Sequence, residues 1–273
     1  VLFLSDKGKA YLKKVYQIPE TSRAARGRAV VNLVGMEPDE RVAAILPIRE
    51  FVEDGYLLTC TRRGRVKRTN LSAYANIRQN GIIGVAIDDG DGLLTARIVT
   101  PGEHVLIGTS HGMSIRFPIE DVRSMGRDSM GVKGIDLRDS DFVIGMDIIE
   151  GGGEQQVLTV SANGYGKRTK VAEWRTQGRG GKGIIGMDTS ERNGALVKLR
   201  LVSPEDQLMV ITNGGQVIRT RVSEIRETGR NTQGVRVIRL RDGEQVVDVE
   251  PVAEGEEDEV LEGAEESGEP GPN

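Results

Sequence analysis

VLTVSANGYGKRTKV, residues 157–171, contains a short apolar run, a polar turn with a glycine, and a basic run. Four other segments share this pattern: VLFLSDKGKAYLKKV (1–15), LLTCTRRGRVKRTNL (57–71), VLIGTSHGMSIRFPI (105–119) and LMVITNGGQVIRTRV (208–222). Their turn glycines are Gly8, Gly64, Gly112, Gly164 and Gly215, spaced 56, 48, 52 and 51 residues apart. Because glycine readily adopts the positive φ that tight turns need, each segment predicts a β-hairpin.

A second glycine follows each hairpin and precedes two further β-type runs. These glycines are Gly27, Gly81, Gly131, Gly183 and Gly234, followed by AVVNLV, IIGVAI, VKGIDL, IIGMDT and VRVIRL. A last strand such as RVAAILPI or GALVKLRLV ends the unit. About four strands per unit is the content of one propeller blade. We therefore predict an all-β, propeller-like domain over residues 1–253, with five repeats at about 1–48, 56–100, 104–149, 156–202 and 207–252.

Apolar residues three positions apart end each hairpin. The pairs are Val15/Ile18, Leu71/Tyr74, Ile119/Val122, Val171/Trp174 and Val222/Ile225. This spacing places both side chains on one side of a short helical turn, so we expect them to face the core. Tyr74 is accordingly interpreted as a core residue rather than a catalytic tyrosine. Cys60 aligns with Leu4 and Val160, which predicts an interior strand position.

The segment TQGRGGKGIIGM, residues 176–187, has the G-x-G-x-x-G spacing of a nucleotide-binding loop. Such a loop must open a helix whose N-terminus receives the phosphates, whereas IIGM continues as a strand-like run. The equivalent segments MGRDSMGV and GRNTQGV lose the glycine pattern but keep the arginine. We therefore predict a basic glycine loop and no nucleotide site.

Basic residues recur at two matched positions of the repeat. Before the second glycine they are Arg23, Arg78, Arg127, Arg179 and Arg230; after the turn glycine they are Arg68, Arg116, Arg168 and Arg219, with Lys13 one residue later in its repeat. Together with Lys67, Lys167 and Lys182 they predict a curved positive band suited to the phosphates of a bent duplex. No recognition-helix pattern accompanies them, so we expect backbone binding without sequence specificity. Solvated side chains, or salt bridges between blades, are the alternative interpretation.

Charge is unevenly distributed along the 273 residues. The net charge is −4, but residues 254–273 hold nine of the 41 acidic residues and no Lys or Arg, which leaves 37 basic and 32 acidic residues in the rest. We expect a disordered acidic tail that either competes with DNA for the basic band or only solubilises the chain.

Other features limit the possible function classes. One cysteine and two histidines predict neither a disulfide framework nor a metal site. No segment approaches the ~18 apolar residues of a membrane helix. The chain begins inside a strand-like run without an initiator Met, so we expect it to be a fragment.

ANGYGKRTKVAEW, ERNG, GRNTQGV and KVYQIPETSRAARGR closely resemble the C-terminal domain of the DNA gyrase A protein. The resemblance extends over residues 1 to about 252 and implies a β-pinwheel, a disc of typically six blades that exchange strands. It further implies positive wrapping of double-stranded DNA in support of negative supercoiling. The implied partners are the rest of the gyrase A protein and the gyrase B protein, in an A2B2 ATP-dependent type IIA topoisomerase of the bacterial cytoplasm and nucleoid.

The resemblance places the catalytic tyrosine, the magnesium carboxylates and the ATPase elements in other regions of that enzyme. We therefore expect no catalysis and no cofactor in this fragment, although the implied holoenzyme uses ATP and Mg. The isolated domain is expected to be a monomer.

One departure concerns the family's wrapping box, Q-R/K-R-G-G-R/K-G, which belongs to the first of six blades. The nearest match here lies in the fourth repeat, has glycine at its second position, and consists of Gln177, Gly178, Arg179, Gly180, Gly181, Lys182 and Gly183. We interpret it as a degenerate box, and the chain as starting where a second blade would. The corresponding domain of the topoisomerase IV A protein and a protein-interaction propeller remain alternatives.

Overall fold

A computed structural model describes residues 1–22, 27–151 and 155–252. Arg23 and the acidic tail, for which contacts with DNA or with the basic band are predicted, lie outside the described residues. One short helix, α1, spans Val30–Val34, and 3₁₀ turns span Val15–Gln17, Leu71–Tyr74, Ile119–Asp121, Val171–Glu173 and Val222–Glu224. The strands are β1 (Leu2–Ser5), β2 (Lys9–Leu12), β3 (Val42–Leu46), β4 (Tyr56–Thr61), β5 (Arg65–Asn70), β6 (Ile82–Ile83), β7 (Leu93–Val99), β8 (His104–Thr109), β9 (Met113–Pro118), β10 (Val132–Lys133), β11 (Val143–Ile149), β12 (Gln156–Ser161), β13 (Tyr165–Lys170), β14 (Ile184–Ile185), β15 (Leu196–Val202), β16 (Gln207–Thr212), β17 (Val217–Arg221), β18 (Val235–Arg236) and β19 (Val246–Val252).

The strands form five antiparallel sheets, one per repeat, which we number as blades 1 to 5. Their strand orders are β3-β1-β2-β6, β7-β4-β5-β10, β11-β8-β9-β14, β15-β12-β13-β18 and β19-β16-β17. In blades 1 to 4 the last strand of that order comes from the following repeat, so neighbouring repeats exchange a strand. Blade 5 has three strands within the described part of the chain. The predicted all-β, propeller-like architecture of five blades is confirmed.

The five strands β3, β7, β11, β15 and β19 are the inner edges of the blades. Residues of all five line one central channel of about 390 Å³. Ion pairs cross the channel wall: Asp147 lies 3.6 Å from Arg97 of blade 2 and 3.5 Å from Arg200 of blade 4. The second strand of each hairpin and the exchanged strand therefore lie on the outer side of the disc.

Most of the core is formed between neighbouring blades; the cluster of Phe3, Tyr11, Val34 and Met36 lies within the first repeat. One apolar cluster joins Leu58 and Cys60 of blade 2 to Val105, Ile107 and Phe117 of blade 3, and each of these side chains is fully buried. A blade therefore buries its faces only by packing on its neighbours, as repeat architectures require. The interior position predicted for Cys60 is confirmed.

Glycines make the strand exchange sterically possible. A Cβ on Gly112, whose φ is +76°, would lie 2.2 Å from the carbonyl oxygen of Met187. A Cβ on Gly183, whose φ is +74°, would lie 2.4 Å from the carbonyl oxygen of Ser114. Real Cβ atoms do not approach oxygen so closely, so β14 reaches blade 3 only because both positions are glycine. This contact accounts for Gly183 without a phosphate ligand.

Two expectations fail in the first repeat. AVVNLV is predicted to be a β-type run, but Val30–Val34 is α-helical and packs through Val34 on Phe3 and Tyr11. In the other repeats the equivalent run pairs with the preceding blade, and among the described residues no sheet precedes blade 1. Val15 is predicted to face the core but is 71% exposed. In contrast, Leu71, Tyr74, Ile119, Val122, Trp174, Val222 and Ile225 are buried as predicted.

The exposure of Val15 has a local cause. At the equivalent place of blade 2, the connection that precedes β4 lies beside Leu71, so that a Cβ on Gly55 would be 3.6 Å from that side chain. Among the described residues no segment covers Val15 in this way, which leaves its side chain at the surface.

Candidate nucleic-acid interface

Three of the arginines that precede the second glycine, Arg127, Arg179 and Arg230, each bond the exchanged strand of the repeat before them. Nη1 of Arg127 donates to the carbonyl of Ile83 in β6 at 3.1 Å. Nη1 of Arg179 donates to the carbonyl of Lys133 in β10, and Nη1 of Arg230 donates to the carbonyl of Ile185 in β14. The same contact is thus repeated from blade to blade at the outer edge of the disc.

Two of these arginines are fixed by further matched hydrogen bonds. The backbone N–H of Arg179 donates to the carboxylate of Asp121 at 3.3 Å, and its Nε donates to the carbonyl of Asp121 at 3.1 Å. Arg230 makes the same pair of bonds to Glu173, at 2.7 and 3.3 Å. Neither guanidinium forms an ion pair with a carboxylate of the described residues. Because a guanidinium has five N–H donors, each retains donors for an external anion.

Three of the hairpin-strand arginines, Arg68, Arg116 and Arg168, are half-buried and contact other groups of the protein. Arg68 stacks on the ring of Tyr56, with 4.7 Å between the guanidinium carbon and the ring centre. Nη1 of Arg116 donates to the carbonyl of Trp174 at 3.2 Å, and burial lowers the pKa of Arg116. Arg168 uses Nε, Nη1 and Nη2 on the carbonyl of Ile225, the Gln156 amide and the carbonyl of Ser223, at 2.6, 2.9 and 3.1 Å.

Lys67 and Lys167 require a correction, because both are buried rather than placed on the rim. Lys67 is 1% exposed and Lys167 is not exposed at all. Nζ of Lys67 donates to the carbonyls of Gly84, Gly126 and Arg127. Nζ of Lys167 donates to the carbonyls of Gly229 and Arg230 and to the hydroxyl of Thr232. Burial lowers the pKa of each ammonium to about 8. These lysines therefore bond the arginine loops from inside the disc and are not exposed on its outer surface.

The other predicted positions lie at or near the surface. Arg78 and Lys182 are exposed, and Lys13 is half-buried just after β2. Arg219 is exposed on β17, where its Nε donates to the Gln207 side chain.

The degenerate box is packed against the preceding repeat through its backbone. The N–H of Gln177 donates to the carbonyl of Arg116 at 2.8 Å, and the N–H of Gly180 donates to the carbonyl of Gly134 at 2.7 Å. The backbone of this segment therefore contributes to the contact between neighbouring repeats.

Blade 4 carries a further basic group that recurrence between repeats did not indicate. Arg192, Arg236 and Arg239 line an open groove of about 640 Å³ together with Tyr165. The position of Tyr165 is occupied by Lys9, Arg65, Met113 and Gln216 in the other repeats, so the group is not a repeated one. Tyr165 and Arg192 belong to the segments NGYG and ERNG, which the sequence alone assigned no role in binding.

The geometry defines a propeller-like repeat protein with exchanged strands and with arginine loops at its outer edge. Its sequence matches the family described as "DNA gyrase C-terminal domain, beta-propeller" over residues 1–49, 55–100, 103–150, 155–203 and 206–253. The chain belongs to this family.

Curated relatives agree with this assignment. The DNA gyrase A protein of Staphylococcus aureus (strain NCTC 8325 / PS 47) is 43% identical over 263 residues, which cover 96% of this chain and 30% of that protein. The DNA gyrase A protein of Staphylococcus epidermidis (strain ATCC 12228 / FDA PCI 1200) is 42% identical over 255 residues, covering 93% of this chain and 29% of that protein. The chain thus spans less than a third of the length of these relatives.

Solved structures show the same fold. A DNA gyrase A C-terminal domain superposes with a TM-score of 0.77 at 25% identity, covering 92% of this chain and 81% of the other. A C-terminal domain of DNA topoisomerase IV superposes with a TM-score of 0.85 at 22% identity, covering 92% and 78%, and this likeness concerns the fold alone. Among the described residues, no helix is long and apolar enough to cross a membrane.

Proposed function

We propose that this chain binds duplex DNA through the phosphate backbone and bends it around the outer edge of the disc. The observation that supports this most directly is the repeated loop arginine. Arg127, Arg179 and Arg230 are each anchored by a carbonyl of an exchanged strand, so their guanidinium groups recur at equivalent places on successive blades. A stiff polyanion that contacts all three must follow the curvature of the disc.

The strength of this binding follows from the number of phosphates that are neutralised. Five loop cations are exposed or half-exposed: Arg78, Arg127, Arg179, Lys182 and Arg230. Each phosphate contact contributes about −0.9 to the slope of log K against log salt, so these five give about −4 to −5. Lys13, Arg23, Arg68, Arg116 and Arg219 remain candidates that would make the slope steeper. Arg168 is a weaker candidate, because it uses three of its five N–H donors inside the protein.

In the complete protein, this domain would act as an accessory region of DNA gyrase. Its partners would be the rest of the gyrase A protein and the gyrase B protein, in an A2B2 enzyme that uses ATP and Mg elsewhere. Wrapping a DNA segment with positive handedness would supply the topology from which strand passage produces negative supercoils.

The test is a binding titration of a duplex of about 40 base pairs by fluorescence anisotropy, repeated over a series of sodium chloride concentrations. We expect a slope of about −4 or steeper and equal affinity for unrelated sequences. Nicked circles sealed by ligase with the protein bound should then show a positive shift in linking number. Weak, nearly salt-independent binding would instead favour a protein-interaction propeller, and binding without a linking-number shift would leave a DNA binder that does not wrap.

A further inference from the structure

Blade 4 carries a group of arginines around an exposed tyrosine hydroxyl. The guanidinium carbon of Arg192 lies 4.2 Å from the centre of the Tyr165 ring, and that of Arg236 lies 5.7 Å from it. Nη2 of Arg236 also donates to the Tyr165 hydroxyl at 3.2 Å, and Nη2 of Arg192 donates to the carbonyl of Gly234 at 3.2 Å. Two cations that would otherwise repel each other are therefore fixed on one aromatic side chain.

The group has no carboxylate partner within the described chain. Arg239 is exposed and lines the same groove, and no acidic residue contributes to the walls of that groove. Asp188 accepts a hydrogen bond from the neighbouring Gln233 side chain at 3.3 Å instead of pairing with these arginines. Three exposed guanidinium groups without counter-charge make a strongly positive surface, since the field of like charges adds.

The equivalent place on blade 2 has cations whose charge is neutralised. Tyr165 and Arg236 are directly paired across β13 and β18, and Arg65 and Lys133 are paired in the same way across β5 and β10. There, however, Arg65 forms an ion pair of 2.8 Å with Asp88, and Lys133 forms one of 2.8 Å with Asp136. The two blades therefore offer a matched comparison of paired and unpaired cations at one site of the repeat.

We propose that Tyr165, Arg192, Arg236 and Arg239 form a phosphodiester-binding site that anchors duplex DNA on blade 4. This inference rests on the proposed function and adds to it the place on the disc where the contact with DNA is tightest. A guanidinium group can donate two parallel hydrogen bonds to the oxygens of one phosphate. Because the Tyr165 ring already holds Arg192 and Arg236 in place, these side chains lose less conformational entropy when they bind a phosphate. The DNA contact is then uneven around the disc, with the strongest attachment on blade 4.

The experiment compares two double variants with the same change in net charge. Arg192→Ala/Arg236→Ala removes two unpaired cations from blade 4, and Arg65→Ala/Lys133→Ala removes the two paired cations from blade 2. Two lost phosphate contacts correspond to a salt slope lower by about 1.8, and to an affinity about 60-fold lower at about 0.1 M salt. We expect this loss of affinity for the blade 4 variant, and a loss of less than about threefold for the blade 2 variant.

Two further measurements keep the result interpretable. Thermal unfolding of each variant should match that of the unmodified chain, since all four side chains are partly or fully exposed. Tyr165→Phe keeps the ring and loses only the hydroxyl bond, so it should retain most of the affinity, whereas Tyr165→Ala should lose it. Equal losses for the two double variants would overturn the site, while an unmodified chain that does not bind DNA would overturn the proposed function itself.

Discussion

Lys167→Met tests whether the buried lysines position the arginine loops. Methionine keeps the approximate length and apolar volume of the side chain but removes the three donors to Gly229, Arg230 and Thr232. The fold accepts an apolar residue here, because the equivalent position of blade 3 is Ile115, which is fully buried. The variant therefore separates loss of hydrogen bonding from loss of packing.

The structure sets the size of the effect. Acceptors left without a donor cost about 1–3 kcal/mol each when water cannot replace the bond, and this loop is partly exposed. We expect the free energy of unfolding to fall by roughly 2 kcal/mol near neutral pH, which lowers Tm by about 4–8 °C for a domain of this size. Arg230 should lose its fixed geometry, and one lost phosphate contact lowers DNA affinity about eightfold at about 0.1 M salt.

The pH dependence has a definite sign. Burial lowers the pKa of Lys167 in the folded chain to about 8, with the nearby Arg230 acting in the same direction and Glu173 and Asp188 opposing it. The ordinary value is 10.5, so between these pH values the unfolded chain binds a proton that the folded chain does not. The free energy of unfolding of the unmodified chain should therefore rise relative to Lys167→Met, by roughly 2 kcal/mol between about pH 7.5 and 9.5.

Urea unfolding at several pH values measures the stability difference, and anisotropy titration at neutral pH measures the DNA affinity. Lys67→Met in blade 2 repeats the test independently, because its Nζ bonds the loop of Arg127 in the same way. If both methionine variants unfold and bind DNA like the unmodified chain, the lysines do not position the loops.

Three further variants test the channel and the strand exchange. Asp147→Ala leaves Arg97 and Arg200, whose side chains are 28% and 29% exposed, without their shared carboxylate. Urea unfolding should therefore show a free energy of unfolding that is lower by about 3 kcal/mol. A decrease below about 0.5 kcal/mol would mean that these pairs are ordinary surface contacts. Gly112→Ala and Gly215→Ala both place alanine at a positive φ, of +76° and +79°, but only the former meets a backbone carbonyl oxygen, at 2.2 Å. We expect Gly215→Ala to lower the free energy of unfolding by about 1 kcal/mol and Gly112→Ala to lower it several times more, as measured by urea and thermal unfolding. Equal costs would show that the glycine at position 112 serves the hairpin turn alone.

The repeat in the sequence was sufficient to predict the hairpins, the five blades and most of the core, because each hairpin needs its own turn glycine and its own apolar run. The strand exchange was not predictable from the same pattern. A two-residue strand such as Ile184–Ile185 has the same residues and spacing whether it joins its own blade or the one before. The structure distinguishes the two arrangements by the pairing of Ile184 with Ser114, together with the close contacts of Gly112 and Gly183 with neighbouring backbone.

The basic residues show a second limit of prediction from the sequence, namely which side chains lie on the surface. Elementary strand geometry answers part of this question. Lys67 and Arg68 are neighbours on β5, so their side chains point to opposite faces and cannot both lie on the outer surface. Arg68 was included in the predicted band because it recurs at a matched position, and Lys67 was added beside it. Neither recurrence nor charge distinguished a cation that supports a loop from one that faces solvent. The sequence also did not indicate the group around Tyr165, since that group occurs in one blade and recurrence does not detect a unique site.

Under the proposed function, the loop arginines combine the two roles that the sequence left as alternatives. Nη1 of Arg179 and Arg230 holds an exchanged strand, as an arginine that locks blades together would, yet no carboxylate of the described chain neutralises either guanidinium. A carbonyl fixes the position of a guanidinium without cancelling its charge, whereas an ion pair does both. Anchoring by carbonyls therefore gives a rigid array of cations, which would reduce the entropy lost in the proposed binding of a duplex along the outer edge of the disc. Replacing Lys133, whose carbonyl holds Arg179, should consequently leave that anchor intact, because the contact is made by the backbone and not by the lysine side chain.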